Sequence, residues 1–491
     1  MLLNSYIFIL AFLPITLLGY FGLNKLSSKY GSAISKGFLL LSSLVFYGYF
    51  NYRYLYIIIG SILVNYIICS FLIKKKDHKQ RKLIFISALV LNIGALLYFK
   101  YFNFFVSNIN SLFGTDFVLL KIMLPLGISF FTFSQIAYVI DAYALKSPLY
   151  NFWDYALYVS FFSKVTAGPI ALHYDIIPQF KDPKTFIFNN ENFAKGLCLF
   201  SIGLAKKVLL ADKFGLIADY GFSSIGDMGS LNAFLVMLAY TFQIYFDFSG
   251  YSDMAIGSAY MFNIKMPVNF NSPYKALSVI DFWKRWHITL TKFFTQYLYI
   301  PLGGSRKGNF RTYLNIMIVF AVSGLWHGAN WTFIVWGLMH GIGQVINRLF
   351  NMKRTESKIK NFFLWLLCFV FINFTWVIFR AASLKDSLLF FKDLFSFKFT
   401  ALNDSIINAF QFIEFKYILE RVPFIGDFIF DNLYIIGFVF GFVISVLIKN
   451  AFEENNPWTK LNKVTLWVLA ILMVWSILSL ASVSSFVYWK F

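Results

Sequence analysis

Five histidines punctuate the chain, and three of them, His287, His327 and His340, stand in or beside apolar, aromatic segments. Imidazole is the side chain best suited to accept a proton near neutrality, and an ionisable group at membrane depth is a functional hypothesis by default. His327 lies in Ser323-Gly324-Leu325-Trp326-His327-Gly328-Ala329-Asn330-Trp331, where two glycines allow close backbone approach and indoles wall the position. A general base fits there; the plainer alternative is a histidine hydrogen-bonded between helices. His340, in Gly337-Leu338-Met339-His340-Gly341, reads as structural. His78 falls in a basic loop and reads as solvated, and His173, after Thr166-Ala167-Gly168-Pro169, as structural or lining an entrance.

His287 closes Asp281-Phe282-Trp283-Lys284-Arg285-Trp286-His287, seven residues that hold cations, an acid and indoles. On a helix, Trp283 and His287 share a face at i and i+4, as do Asp281 and Arg285. Lys284 and Arg285 suit the phosphate groups of a donor entering from the cytoplasm. An interfacial basic-aromatic anchor is the competing role. The run Gln243-Ile244-Tyr245-Phe246-Asp247-Phe248-Ser249-Gly250-Tyr251-Ser252-Asp253 sets two carboxylates in an aromatic stretch, where they must be paired or hydrated. Arg285 and Lys284 are the expected partners. There is no P-loop, no Gly-x-Gly-x-x-Gly after a strand, no His-Glu-x-x-His and no Gly-x-Ser-x-Gly, so nucleotide hydrolysis and zinc proteolysis lack their usual groups. Cys69, Cys198 and Cys368, each inside an apolar run, read as core thiols, and no metal site is expected.

The elements that position these residues must be membrane helices. Of 491 residues, 59% are hydrophobic and 13% charged, with 63 Phe, 29 Tyr and 12 Trp. Soluble chains carry about 25% charged residues, so an ordinary soluble protein is excluded. The apolar runs do not alternate with polar residues, which excludes a β-barrel. The net charge of +20 sits in loops between runs, as in Lys74, Lys75, Lys76, Lys79, Arg81 and Lys82, a positive-inside pattern that places the N-terminus outside and leaves nucleic-acid binding without a basic stripe. Runs near 6–23, 37–50, 54–73, 83–99, 117–140, 193–210, 231–246, 314–323, 331–346, 362–379, 434–448 and 464–482 predict an all-α, polytopic protein with about 10–12 transmembrane helices. The first run lacks a signal-peptide pattern and reads as a retained span. Breaks at 124–127 and 324–328 survive at membrane depth only inside protein or beside water, which predicts a central cavity. The stretch 247–311 reads as re-entrant or interfacial helices, and 403–431 as a surface segment with amphipathic pieces such as 410–417. A single domain, 1–491, with a catalytic core at about 120–350, is expected.

Together these motifs resemble the membrane-bound O-acyltransferase family, in particular its AlgI/DltB-like branch and, within that, the AlgI-like polysaccharide O-acetylation proteins. The resemblance rests on Asn4-Ser5-Tyr6-Ile7-Phe8, Leu124-Pro125-Leu126-Gly127-Ile128-Ser129-Phe130, Ala167-Gly168-Pro169, Tyr245-Phe246-Asp247-Phe248-Ser249-Gly250-Tyr251-Ser252-Asp253-Met254-Ala255, Phe282-Trp283-Lys284-Arg285-Trp286-His287, Tyr297-Leu298-Tyr299-Ile300-Pro301-Leu302-Gly303-Gly304, Gly324-Leu325-Trp326-His327-Gly328-Ala329-Asn330 and Thr375-Trp376-Val377-Ile378-Phe379-Arg380-Ala381. The aromatic tail at 486–491 echoes the branch loosely. The resemblance implies re-entrant helices around a central funnel and an acyltransferase, with His327 and His287 catalytic and Asp247, Tyr251, Lys284, Arg285, Trp286, Trp326 and Asn330 contacting substrate. It implies transfer of an acyl group, acetyl by the branch, from a cytoplasmic thioester such as acetyl-CoA, with no bound cofactor. It further implies a bacterial inner-membrane location amid lipid, an extracytoplasmic SGNH-type partner and a cell-surface polysaccharide acceptor. His327 would take the proton of an acceptor hydroxyl, His287 would line the cytoplasmic side, and an indole or Asn330 would orient a reacting group.

D-alanyl transfer to teichoic acid is the alternative within the family. Outside it stand a transporter, which inverted repeats would support and none is visible, and a noncatalytic scaffold.

Overall fold

The computed structural model describes residues 1–27, 29–419, 421–422, 425–448, 450 and 462–480; the tail at 486–491 lies outside them. Backbone in lipid must satisfy its own hydrogen bonds, and helix forms along the apolar runs, with no strand among the described residues. Six helices are long and apolar enough to cross a bilayer: Ile7–Asn24, Gly31–Gly48, Arg53–Lys74, His78–Phe113, Ser230–Met261 and Lys358–Arg380. The pair Ile425–Asp431 and Leu433–Leu447, bent by 57°, adds a seventh if it is one span. The protein is therefore all-α and polytopic. Other expected runs are helices as well, among them Asn190–Ala205, Gly308–His327, Trp331–Leu349 and Lys463–Leu478, but they are shorter or less apolar than those six.

The run expected over 117–140 divides. Residues 115–127 carry no helix, and Ile128–Tyr143 begins only after Gly127 in a left-handed conformation. Two asparagines on the preceding helix explain it. Asn103 donates to the Leu120 carbonyl at 2.8 Å and accepts from the Leu120 N–H at 3.0 Å, and Asn110 does the same for Phe117 at 2.9 and 3.0 Å. Side-chain amides thus give the extended segment the partners that a helix would have supplied.

The Ser230–Met261 helix is the axis of the core. It crosses Asn190–Ala205 where glycines on both helices bring the backbones together: a Cβ on Gly196 would lie 2.6 Å from the Gly257 carbonyl, and one on Gly203 2.5 Å from that of Gly250. Small-residue contact of this kind is how membrane helices pack without a hydrophobic driving force. The close crossing carries Lys206 and Lys207, at the start of a π-turn, into the core, where Lys206 pairs with Asp253 at 2.7 Å and Lys207 with Asp247 at 2.5 Å and Asp212 at 2.9 Å. This corrects two expectations. The helix runs straight through both acids instead of ending near 246, and the partners of Asp247 and Asp253 are Lys207 and Lys206, not Arg285 and Lys284. Three lysine–carboxylate contacts make the polar stretch tolerable in a buried helix.

Beyond Met261 the chain does break into short elements, Val279–Trp283 and Ile288–Phe294 with a π-turn at Thr295–Tyr299. Asp281 and Arg285 pair at 2.9 Å, as their spacing predicts. Trp283 and His287 do not share a helix face, because the helix stops at Trp283 and His287 adopts φ 44° as the residue before the next one. The three cysteines are buried free thiols.

Candidate active site

The Gly308–His327 helix ends on His327, within the break expected at 324–328, and Gly328 is extended. Asn330 then starts the Trp331–Leu349 helix: its Oδ1 accepts the Thr332 N–H at 3.1 Å, and its Nδ2 donates to the Ala382 carbonyl at 2.9 Å. Both ends of this amide hold backbone, which makes Asn330 an N-cap in addition to a neighbour of the histidine. The two helices return on each other with Gly324 and Gly337 in contact, so the last turn of one and the middle of the other form a single unit.

The His327 ring is 4% exposed and walled by aromatic rings, with centroids of Trp326 at 4.9 Å, Trp336 at 5.0 Å and Phe379 at 5.4 Å. Also beside Trp326, with ring centroids 6.1 Å apart, lies His287, whose Nδ1 is 3.0 Å from Asn269 Oδ1 and whose ring packs edge-on against Phe248. A histidine at positive φ is costly, about 1–3 kcal/mol, and such strain persists where the surrounding structure fixes it. Here Phe248, next to Asp247, and Asn269 do so. His340 closes the group: it accepts the Trp283 indole N–H at 3.1 Å and packs 4.8 Å from Trp336. Trp286 is fully buried, stacks on Phe282 and lies 5.0 Å from Trp376, which in turn stacks on Trp336.

Apart from the N-cap Asn330, the predicted residues thus fall into three groups. His327, His287, Trp326 and Trp286 belong to one layer of histidines and indoles. Asp247 and Tyr251 lie in the wall formed by the central helix, Asp247 paired with Lys207 and Tyr251 bonded to Thr166 at 2.5 Å. Lys284 and Arg285 face away from the layer into a cavity of about 1300 Å³.

That cavity lies where helix ends meet, beside Ser305 and Asn309 at the start of one helix, Arg348 at the end of the next and Asn361 at the start of a third. Among the described residues its wall carries six cations, Lys275, Lys284, Arg285, Arg348, Lys353 and Arg354, against one carboxylate, Asp281, already paired with Arg285. Such a wall suits a phosphorylated, polyanionic head group. His327 sits toward the opposite end of the Gly308–His327 helix from this cavity; Thr312, which lines it, is about 22 Å from His327 along the helix at 1.5 Å per residue. Trp283 and Trp336 occupy the layer between them.

Sequence reasoning missed Lys100, Tyr101, Trp336 and Phe379. Lys100 donates to the carbonyl oxygens of Trp326 and His327, and Tyr101 to that of Leu325. No local spacing joins residues 226 positions apart. Of the other histidines, His173 is held by Asp141 at 2.9 Å and Tyr150 at 3.0 Å, a structural knot, and His78 opens its helix exposed in the basic loop.

A dry imidazole in an aromatic box can take a proton from a hydroxyl and keep water from competing for an acyl group. The pattern of the membrane-bound O-acyltransferase family matches residues 44–391, and the chain belongs to that family. It is 43% identical over 421 residues to a peptidoglycan O-acetyltransferase of Helicobacter pylori, covering 80% of each chain. It is 38% identical over 405 residues to a probable alginate O-acetylase AlgI of Pseudomonas aeruginosa, covering 81% of this chain and 75% of the other. A teichoic acid D-alanyltransferase of Streptococcus thermophilus is 28% identical over 253 residues, 48% of this chain and 59% of the other. The protein is a multi-pass membrane acyltransferase.

Proposed function

We propose that this protein moves an acetyl group from acetyl-CoA, bound from the cytoplasmic side in the basic cavity, to a hydroxyl acceptor at His327, for O-acetylation of a cell-surface polysaccharide. The observation that carries the reading is the alignment of a six-cation cavity, an indole layer and a buried histidine along two paired helices. The O-acetyltransferases among its relatives support acetyl over D-alanyl, since the D-alanyltransferase match is shorter and weaker. The cations hold the phosphates of the donor while its uncharged arm passes between the indoles; a charged group would be excluded from that layer. His327 accepts the proton of the attacking hydroxyl as it adds to the thioester carbonyl, and the thiolate departs toward the cavity. Asn330 and Trp326 act by fixing the histidine and walling the acyl group, and His287 packs beside Trp326. Delivery to the polysaccharide at the outer face of a bacterial inner membrane is completed by an extracytoplasmic SGNH-type partner.

The test is the ester-linked acetate on surface polysaccharides of a strain lacking this gene. Loss on deletion and return with the wild-type gene support the reading, and name the acceptor. Ester content unchanged by deletion defeats it.

A further inference from the structure

The C-terminal turn of the Gly308–His327 helix leaves carbonyl oxygens with no partner in their own helix, and at membrane depth such groups must be satisfied. Three consecutive ones, on Leu325, Trp326 and His327, are taken by two consecutive side chains of another helix. Lys100 Nζ donates to the Trp326 oxygen at 2.7 Å and the His327 oxygen at 2.9 Å, and Tyr101 OH donates to the Leu325 oxygen at 2.9 Å. Consecutive helical residues do not ordinarily share a face. Here Lys100 and Tyr101 fall in a π-turn, Leu97–Tyr101, within the long helix that continues to Phe113. Such turns are rare and concentrate at functional sites. An ammonium at the negative end of a helix dipole is also well placed electrostatically, which offsets part of the cost of a lysine in the core. The Lys100 side chain further lines a small recess of about 220 Å³ shared with Ala329, two residues past His327.

We propose that Lys100 is a positioning residue for His327: its ammonium clamps the last turn of the helix and so fixes where the imidazole stands. The proposal rests on the reading of His327 as the base. Tyr101 holds Leu325, two residues before His327, and shares the task.

The experiment uses inside-out membrane vesicles that carry the full-length protein together with its extracytoplasmic partner and acceptor polysaccharide, supplied with labelled acetyl-CoA, comparing wild type, Lys100→Met, Lys100→Arg, Tyr101→Phe and His327→Ala, each with its melting temperature in detergent. Lys100→Met keeps its fold but loses roughly tenfold to hundredfold in kcat, the cost expected of an ångström-scale displacement, with KM for acetyl-CoA within about twofold of wild type. Lys100→Arg, which retains donors, recovers most of that loss. A Lys100→Met protein that turns over like wild type, or that loses KM and kcat alike, overturns the proposal. If Lys100→Met does not accumulate, Tyr101→Phe carries the same test at smaller amplitude, with a kcat equal to wild type counting against it. A second readout needs no turnover: diethyl pyrocarbonate modifies His327 several times faster in Lys100→Met while His173 stays protected, and unchanged reactivity at His327 overturns the clamp. If wild-type vesicles pass no acetyl label, the acetyl-CoA reading fails by itself, and the histidine modification still decides the role of Lys100.

Discussion

Gly324 and Gly337 meet backbone to backbone: a Cβ on Gly324 would run into the Phe333 carbonyl oxygen and stand 3.3 Å from the Gly337 Cα, and one on Gly337 would run into the Phe320 carbonyl oxygen and stand 3.1 Å from the Gly324 Cα. The helix that ends at His327 and the helix that carries Trp336 and His340 are therefore locked at the one height where the histidine and its indole wall must coincide. Gly337→Ala forces the helices apart, an overpacking cost of about 1–3 kcal/mol. Its expected signature is a lower melting temperature in detergent together with loss of acetyl esters on cells at normal protein level. A variant with wild-type melting and activity would show that the helices are not locked there.

The lysine pair in the core is structural. Lys207 is almost wholly buried and faces the buried Asp247 and the partly exposed Asp212, so Lys207→Met removes this cation from a buried carboxylate, a change that costs about 3–5 kcal/mol. The protein level falls sharply, and adding Asp247→Asn to Lys207→Met restores part of it. Immunoblots of membranes read both effects. A Lys207→Met protein that accumulates normally and loses only activity would instead place Lys207 in contact with substrate.

The cavity wall acts through charge. Removing one cation–phosphate interaction costs roughly 1.5–3 kcal/mol, so Lys284→Glu combined with Arg348→Glu raises KM for acetyl-CoA at least tenfold and leaves kcat nearly unchanged. The wild-type KM rises with ionic strength and that of the double variant responds less, because exposed charges are screened. Initial rates at two salt concentrations check both statements. An unaltered KM would move the donor out of this cavity.

Asn330 separates capping from catalysis. Asn330→Asp keeps the oxygen that accepts from Thr332 but gives up the donor to the Ala382 carbonyl, and retains most of the activity, whereas Asn330→Ala loses both contacts, the cap alone being about 1 kcal/mol, and melts lower still. A large fall in kcat for Asn330→Asp, with normal melting, would restore the role of orienting a reacting group that the motif alone suggests.

What could be read in the sequence was local. Apolar runs located the helices, Pro125 and Gly127 marked a break, the spacing of Asp281 and Arg285 gave their ion pair, and the glycines and indoles around His327 identified the buried histidine. What could not be read depends on distant partners. The extended segment at 115–127 is apolar enough for a helix and is held open by Asn103 and Asn110. Asp247 and Asp253 interrupt the apolar pattern, yet the helix continues because Lys206 and Lys207, far earlier in the chain, are brought to them by the glycine crossing. Lys100 stands in an aromatic run with nothing nearby to suggest that it reaches His327.

The most direct measurement is transfer of label from acetyl-CoA to surface polysaccharide by His327→Ala, in a strain lacking the native gene, with its membrane level and melting temperature matched to wild type. Removal of a general base costs about 10²–10⁴-fold, so with His327 as the base the label falls to about 1% of the wild-type rate or less. A folded His327→Ala protein that labels the polysaccharide at the wild-type rate would contradict that role.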